Sequence, residues 1–423
     1  MEEHIAILTK YNFWEKLPPS PGLLREEYTQ KIIRHTGNRL IKVLTGQRRA
    51  GKSYILRQCA WQLIQRGTPA KNTLFINLEL TDFDFIRTYK DLDNLIKLYL
   101  KEIKPQGRIY IFLDEIQFVE DWERVVNSYS QDYTAEYELF ISGSNSKMLA
   151  GELSTLLSGR YVHIEVYPFG FQEYTQAKGI AQNRQTYIEY MNRGGLPELF
   201  SLPDEREVVQ NYIASLCNSI LLKDIIQRHS IRDARLLEDL FAFLINNASN
   251  LVSTNNIANY FKSQGRKNSY DSISTYIGYI EESFLVHRCE RYGIKGKESL
   301  AGIAKFYAND LAYHNFLYAG HSYGIGYALE NLVFLELKRK GFSVNTGVLE
   351  KQEIDFVARK DDRVIYIQST YMLQDEQTFQ REYAALERIH DNYEKFVLSL
   401  DDIDIPSQQG IHHIKAWNLH NYL

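Results

Sequence analysis

GQRRAGKS, at residues 46–53, is the stretch that decides the fold class of this chain. It follows an apolar segment, residues 40–45, that is typical of a buried strand, and it precedes a segment that opens a helix at Tyr54. The spacing G-x-x-x-x-G-K-S between a strand and a helix is that of a phosphate-binding loop, in which backbone N–H groups and the helix N-terminus surround an anion. The sequence therefore predicts a P-loop rather than an incidental glycine turn.

The residue types in this loop predict its ligand. Lys52 would reach the β- and γ-phosphates of a nucleoside triphosphate, and the Ser53 hydroxyl would bind the accompanying Mg²⁺. Arg48 and Arg49 add positive charge, with ion pairing to Asp or Glu as the alternative interpretation. We expect nucleotide contacts from Gly46, Gln47, Arg48, Arg49, Ala50, Gly51, Lys52, Ser53 and Tyr54.

Composition limits the class of protein. A chain of 423 residues exceeds the size of a single core, so we expect about two to four domains. Hydrophobic residues make up 44% and charged residues 24%, which is ordinary for a globular protein, and the net charge of -4 gives no general attraction to nucleic acid. The scattered Cys59, Cys217 and Cys289, the acidic N-terminus and the lack of a long apolar run predict a cytoplasmic protein without disulfides, signal peptide or membrane span.

A second motif supplies carboxylates. Residues 108–113 form a mostly apolar strand pattern that ends in Asp114 and Glu115. In a parallel sheet this places both side chains at the carboxyl edge, where ligands bind. Asp114 would hold Mg²⁺, largely through its water shell, and Glu115 would orient or deprotonate the attacking water. An apolar strand ending in acids is common by itself, but its position after a P-loop favours the catalytic interpretation.

The strand pattern at residues 137–142 ends in a polar tip at residues 143–146. A polar group at the tip of the strand beside Asp114 could sense the γ-phosphate. Ser144 and Asn145 are the candidates, and we prefer Asn145 because its amide both donates and accepts hydrogen bonds. Gly, Ser and Asn also form turns, so a plain turn is an equal alternative.

Helical patterns alternate with buried-strand patterns through this region, which favours a doubly wound α/β fold with a parallel sheet. Seven motifs together resemble those of prokaryotic AAA+ ATPases of the archaeal type, close to the STAND group, and the resemblance covers nearly the whole chain. They are GQRRAGKS (46–53), LDEIQ (113–117), ISGS (141–144), LSGRY (157–161), PFGFQEY (168–174), GGLPE (194–198) and EIDF (353–356). The resemblance implies ATP or ADP and Mg²⁺ as ligands, and no Asn-Lys-x-Asp guanine motif occurs.

The same resemblance implies a role for one further residue and a division of the chain into domains. Arg160 could approach the γ-phosphate of its own or a neighbouring subunit as an arginine finger, with ion pairing as the alternative. Residues 1–166 would form the AAA+ P-loop core with an N-terminal lead-in, and residues 167–234 a helical lid that closes over nucleotide. An oligomer is compatible with the resemblance but not required by it. The residues expected to act in catalysis are Lys52, Glu115, Asn145 and Arg160.

Residues 235–323 follow the order of a winged helix-turn-helix. A capped helix pattern at 253–261 and a second helix pattern at 270–283 precede the start of a β-hairpin. The exposed side of the second helix could then contact DNA phosphates, although a packing module is the alternative. The candidate DNA contacts are Arg266, Lys267, Tyr270 and Thr275.

Residues 324–423 resemble the restriction-endonuclease-like PD-(D/E)xK fold, in which carboxylates hold Mg²⁺ and a lysine assists the attacking water. Glu330 and Asp355 match two positions of that pattern, but Gln368 and Thr370 replace an acid and the lysine. A neutral amide and a hydroxyl cannot supply those charges. We therefore expect a catalytically degenerate domain that serves docking or recognition of nucleic-acid shape.

Two functional interpretations remain open at this point. The first is an ATPase whose hydrolysis moves its lid, winged-helix and C-terminal domains on DNA or on a protein partner. The second is a nucleotide-gated switch or scaffold of the STAND kind, which turns over slowly. An ATP-regulated nuclease is disfavoured by Gln368 and Thr370.

Overall fold

The computed structural model describes residues 2–17, 21–149, 157, 159–266, 269–318, 324–350 and 352–423. The chain divides into two compact units, Met1–Val166 and Tyr167–Leu423. Each unit has its own β-sheet and its own hydrophobic cores.

The first unit is built on a five-stranded parallel sheet. Its strands are β1 (Ile41–Thr45), β2 (Thr73–Asn77), β3 (Ile109–Asp114), β4 (Tyr137–Gly143) and β5 (Tyr161–Glu165). They lie in the order β2-β3-β4-β1-β5, and every neighbouring pair is parallel. Strand β4 therefore separates β1 from β3, and all three strands deliver their last residues to one edge of the sheet.

Helices cover both faces of this sheet, because its strands are apolar on both sides. They are α1 (Glu2–Tyr11), α2 (Glu26–Ile33), α3 (Lys52–Gln65), α4 (Tyr89–Ile103) and α5 (Trp122–Gln131). On one face α1, α4 and α5 bury Leu8, Leu92 and Trp122, and on the other face α2 and α3 bury Ile32 and Leu56.

Helices form the beginning of the second unit. They are α6 (Phe171–Lys178), α7 (Arg184–Arg193), α8 (Arg206–Ser219), α9 (Ala234–Asn246), α10 (Thr254–Ser263), α11 (Tyr270–Glu282) and, further along the chain, α12 (Ile325–Arg339) and α13 (Glu376–Glu387). The π-helical segment Ile220–Gln227 continues α8. Ser253 and Ser269 cap α10 and α11 by accepting hydrogen bonds from backbone N–H groups of the first turn.

An eight-stranded mixed sheet completes the second unit. Its strands are β6 (Leu251–Val252), β7 (Val286–Gly293), β8 (Glu298–Ala308), β9 (Ser343–Leu349), β10 (Gln352–Lys360), β11 (Arg363–Ser369), β12 (Glu394–Ser399) and β13 (Ile411–Lys415). Their order is β13-β12-β11-β10-β9-β7-β8-β6. Because β7 pairs with β9 in parallel, the β7–β8 hairpin and the C-terminal strands form one continuous sheet. Helix α12 packs on one face and α13 on the other.

The α/β fold with a parallel sheet, predicted from the sequence, is confirmed in the first unit. The helix patterns at 253–261 and 270–283 correspond to α10 and α11. The division of residues 167–423 into a lid, a winged helix and a C-terminal domain stays a prediction, since these segments share one compact unit. None of the described helices is both long and apolar enough to span a membrane.

Candidate nucleotide-binding and catalytic site

The loop at residues 46–51 joins β1 to α3 and requires glycine at both ends. Gly46 has φ 146°, and a Cβ built there would lie 2.2 Å from the Val166 carbonyl oxygen. Gly51 caps α3 in the left-handed conformation, with φ 99°. Side chains at these positions would be excluded by contact or strained, so the backbone can curl only with the glycines in place.

Lys52 lies inside the curl of this loop and is only 3% exposed. Its Nζ donates to the Gly46 oxygen at 2.9 Å and to the Gln47 oxygen at 3.1 Å. The Glu115 carboxylate Oε1 lies 3.7 Å from the same ammonium group. The lysine can exchange the two carbonyl oxygens for phosphate oxygens, which carry more negative charge than a carbonyl oxygen.

Asp114 ends β3 and is completely buried. The Ser142 hydroxyl donates to its Oδ1, whereas Oδ2 has no well-formed hydrogen bond from any described residue. Burial, followed by the charge of Glu115, raises the pKa of Asp114, while the hydroxyls of Ser142 and Ser53 and the charge of Lys52 act in the opposite direction. A buried carboxylate oxygen without a well-formed hydrogen bond, together with the Ser53 hydroxyl, fits the oxygen donors that Mg²⁺ and its water shell prefer.

Glu115 follows Asp114 in the left-handed conformation, with φ 54°. Its backbone N–H donates to Ser142 Oγ at 3.2 Å, so one serine joins both acidic residues. The Gln117 Nε2 donates to Glu115 Oε2 at 2.5 Å and lies 3.5 Å from Ser144 Oγ. The Glu115 carboxylate is thus held between the Gln117 amide and the Lys52 ammonium.

The tip of β4 lies beside this carboxylate. A Cβ at Gly143 would come within 2.6 Å of Gln117 Oε1, so the tip and the Glu115 loop are in close contact. Ser144 and Asn145 are both buried, at 1% and 2% exposure. The predicted sensing role of Asn145 stays a prediction.

The contacts and exposure of three other nucleotide-site candidates, Arg48, Arg49 and Tyr54, can be described. Arg48 Nη1 pairs with Glu79 Oε1 at 2.6 Å, so the ion-pair alternative applies to this residue. Arg49 is exposed in the left-handed conformation, with φ 68°. Tyr54 is 62% exposed, and its ring packs near Gly22.

Sequence reasoning missed Arg25, Ser142 and Gln117. Arg25 is 2% exposed, and its Nη1 donates to the Ala50 carbonyl oxygen at 2.8 Å, which supports the P-loop from behind. Its guanidinium carbon lies 4.5 Å from the centre of the Tyr28 ring. The signal for Gln117 was its position two residues after Glu115, but no local pattern marks Arg25 as a neighbour of the loop.

Arg160 does not join these residues. It precedes β5, and its carbonyl oxygen accepts a hydrogen bond from the N–H of Ile41, the first residue of β1. The P-loop leaves the other end of β1, about 13 Å away along the strand. The Arg160 Nη1 instead donates to Asn127 Oδ1 at 3.1 Å. The expectation that Arg160 could reach the nucleotide of its own subunit is therefore corrected, because β5 runs parallel to β1 and begins at the opposite edge.

The candidate DNA contacts lie in the second unit, and one of them already forms an ion pair within the protein. Arg266 forms an ion pair with Asp239, and Lys267 lies outside the described residues. Tyr270 is 50% exposed and Thr275 is also exposed. Helix α11 carries three acidic side chains and no Lys or Arg, which weakens attraction to phosphates.

The positions noted near the C-terminus are all in the second unit. Glu330 and Asp355 are buried. The Gln368 Oε1 accepts a hydrogen bond from the Asp355 N–H at 3.1 Å, and Thr370 is buried at the end of β11. No positive charge replaces the missing lysine on that strand end.

Comparisons with known proteins agree with this fold. An AAA domain family matches residues 38–175, and a domain of unknown function matches residues 184–320. The structure of a Walker-type ATPase of Pyrococcus abyssi has 15% sequence identity and a TM-score of 0.51, with 71% of this chain and 99% of that chain covered. Residues 38–175 are thus an AAA domain, and the chain shares the fold of a P-loop ATPase.

Two relatives extend over most of the chain. An uncharacterized protein of Haemophilus influenzae is 36% identical over 381 residues, which cover 89% of this chain and 92% of that protein. An uncharacterized protein of Methanocaldococcus jannaschii is 31% identical over 386 residues, which cover 86% of this chain and 81% of that protein. The chain belongs to the same family as these two uncharacterized proteins.

Proposed function

We propose that this protein is a Mg²⁺-dependent ATPase that hydrolyses ATP to ADP and phosphate. The observation that carries the proposal is the meeting of Lys52, Asp114 and Glu115 at one sheet edge, with Asp114 Oδ2 lacking a well-formed hydrogen bond. Ser53 and Asp114 would hold the metal, which neutralises phosphate charge when bound. Arg25 and the two loop glycines keep the backbone N–H groups directed at the phosphates.

The protein groups have separate roles in the reaction. Lys52 exchanges its carbonyl ligands for oxygens of the β- and γ-phosphates and stabilises the negative charge that develops there. Glu115 orients a water molecule in line with the γ-phosphorus and accepts its proton as the new P–O bond forms. The bond to the β-phosphate oxygen breaks, and ADP carries away the electron pair. The Gln117 amide holds Oε2 of this carboxylate, and Oε1, on the side of Lys52, is the oxygen that accepts the proton.

The test is the hydrolysis rate of Glu115→Gln, with ATP binding measured in parallel. A glutamine keeps the shape but cannot accept a proton, so turnover should fall about 100-fold or more while the Kd for ATP stays unchanged. Lys52→Ala should lose binding itself. Unchanged turnover in Glu115→Gln would remove this residue from the mechanism.

A slow nucleotide-gated switch is the second candidate. The support is the resting arrangement of Glu115, which is bound to Gln117 at 2.5 Å and lies 3.7 Å from Lys52. Steady-state hydrolysis with and without duplex DNA separates the two functions. DNA-stimulated turnover supports a motor that acts on DNA, whereas near-irreversible retention of nucleotide supports the switch.

We infer that the second unit carries the partner-binding surfaces, whether the partner is DNA or protein. Helices α10 and α11 followed by the β7–β8 hairpin support the winged-helix prediction. The order α12, β9, β10, β11, α13, β12, with β12 parallel to β11, supports a nuclease-like fold for residues 324–423. Arg160 remains a candidate arginine finger only for a neighbouring subunit.

A further inference from the structure

A cluster of charged side chains lies on the α12 face of the second sheet, far along the chain from the P-loop. Glu330 projects from α12, Lys305 from β8, and Glu353 and Asp355 from β10. The pairing of β10 with β9 shifts between Ile354 and Val357, which marks a β-bulge. A bulge places neighbouring residues on the same side of a strand and redirects its side chains.

The lysine is at the centre of this cluster and is 4% exposed. Its Nζ lies 2.7 Å from Glu330 Oε1 and 2.7 Å from Glu353 Oε1. The Tyr307 hydroxyl also donates to Glu330 Oε1, at 2.7 Å. Lys305 thus bridges a carboxylate on the helix to one on the strand, as a bound cation would.

The electrostatics agree with a cation held by the protein itself. Burial acts to lower the pKa of Lys305, but the charges of Glu330, Asp355 and Glu353 outweigh it and raise that pKa above its ordinary value. Burial, and next the charge of Asp355, raises the pKa of Glu330 to about 8. Burial likewise raises the pKa of Asp355. Three carboxylates thus act on one ammonium group, and Lys305 contacts two of them, those of Glu330 and Glu353, directly.

The remaining donors do not fit a divalent cation while the lysine is in place. Asp355 Oδ2 accepts from both the N–H and the hydroxyl of Ser369, each at 2.8 Å. Gln368 uses its carbonyl oxygen for the Asp355 N–H. Within the described residues, no group of three or more His, Cys, Asp or Glu side chains could hold a metal ion.

We propose that the Lys305 ammonium occupies the cation position of this nuclease-like carboxylate cluster, so that the second unit folds without a metal and excludes one. Removal of the positive charge opens a divalent-cation site formed by Glu330, Glu353 and Asp355. Glu353 is 35% exposed, which gives an ion a route to the site from solvent. The proposal is independent of ATP hydrolysis by the first unit.

The test is equilibrium Mn²⁺ binding to the full chain without nucleotide, measured by electron paramagnetic resonance. Lys305→Met should gain one Mn²⁺ per chain with an affinity at least about tenfold above any wild-type binding. The Lys305→Met/Asp355→Asn variant should lose that gain. Lys415→Met is the matched control, because Lys415 pairs with Asp402 and Asp404 elsewhere in the same unit.

Thermal denaturation gives a second readout. Added Mn²⁺ should shift the Tm of the wild type no more than it shifts the Tm of Asp355→Asn. The Tm of Lys305→Met, which is lowered without metal, should rise when Mn²⁺ is added. A folded Lys305→Met that gains no Mn²⁺ would overturn the proposal.

Two wild-type measurements keep the proposal open to refutation if Lys305→Met does not fold. The first compares Mn²⁺ binding by the wild type and Asp355→Asn, and a difference of one site would overturn the proposal. The second is plasmid nicking in Mn²⁺. Mn²⁺-dependent nicking by the wild type that is lost in Asp355→Asn would overturn the proposal, and absence of nicking agrees with it.

Discussion

Arg25→Met tests whether the P-loop depends on support from α2. Methionine keeps an apolar stem in the buried space beside Tyr28 but removes the guanidinium that donates to Ala50 O at 2.8 Å. Ala50 is completely buried, so its carbonyl oxygen would be left without this donor. Loss of a charge-assisted hydrogen bond to a buried group costs about 1.5–3 kcal/mol.

That cost should divide between stability and nucleotide binding. Ala50 also donates its N–H to the Gln47 oxygen at 3.2 Å, so a change at Ala50 alters the curl that surrounds the phosphates. If about 1.4 kcal/mol of preorganisation is lost, the Kd for ATP rises about tenfold. Turnover at saturating ATP should change little, because Asp114 and Glu115 keep their bonds to Ser142.

The assay is equilibrium binding of a fluorescent ATP analogue together with urea unfolding. Arg34→Met is the matched control, since Arg34 is an exposed arginine at the C-terminal end of the same helix. An unchanged Kd with reduced stability would mean that Arg25 only anchors α2. No change in either quantity would refute the reasoning.

Two further predictions concern buried charges. Lys42 and Glu138 form an ion pair between β1 and β4, with side chains 0% and 2% exposed. In urea unfolding, Lys42→Met should lower the free energy of unfolding by about 3–5 kcal/mol, and Lys42→Met/Glu138→Leu should recover most of it; equal losses would contradict the argument. Burial raises the pKa of Asp310 to about 6, against hydrogen bonds from backbone N–H groups that lower it. Because the pKa of Asp310 in the folded protein exceeds its ordinary value of 3.8, the protonated carboxyl stabilises the fold. This contribution to the free energy of unfolding is full below about pH 4 and is lost by about pH 6. Stability of the wild type relative to Asp310→Asn should therefore fall by up to about 3 kcal/mol across that window, and a constant difference would exclude this titration.

The P-loop and the acidic strand end could be predicted because their chemistry is local. Gly46, Gly51, Lys52 and Ser53 lie at fixed spacing within eight residues, and the strand ending in Asp114 carries its own apolar pattern. Ser142 could not be assigned a role in the same way. Its contact with Asp114 depends on the register between β3 and β4, which no spacing along the chain encodes.

Long-range partners also explain the other differences. Arg160 follows β4 in sequence, but strand direction places it at the opposite edge of the sheet from the P-loop. The role of Lys305 depends on Glu330 and Glu353. These two residues are brought to the lysine by the packing of α12 on the sheet and by the bulged strand β10. A sequence motif marks the acids of such a cluster, but not a cation supplied by another strand.

The parallel pairing of β7 with β9 limits where the chain can be shortened. Residues 291–293 of the hairpin pair with residues 346–348, so each segment covers a strand edge of the other. A gene fragment ending near residue 320 would encode a protein with an open β7 edge, which invites aggregation. The hairpin and the C-terminal strands should therefore be kept together in any shortened form of the chain, because each leaves an unpaired strand edge without the other.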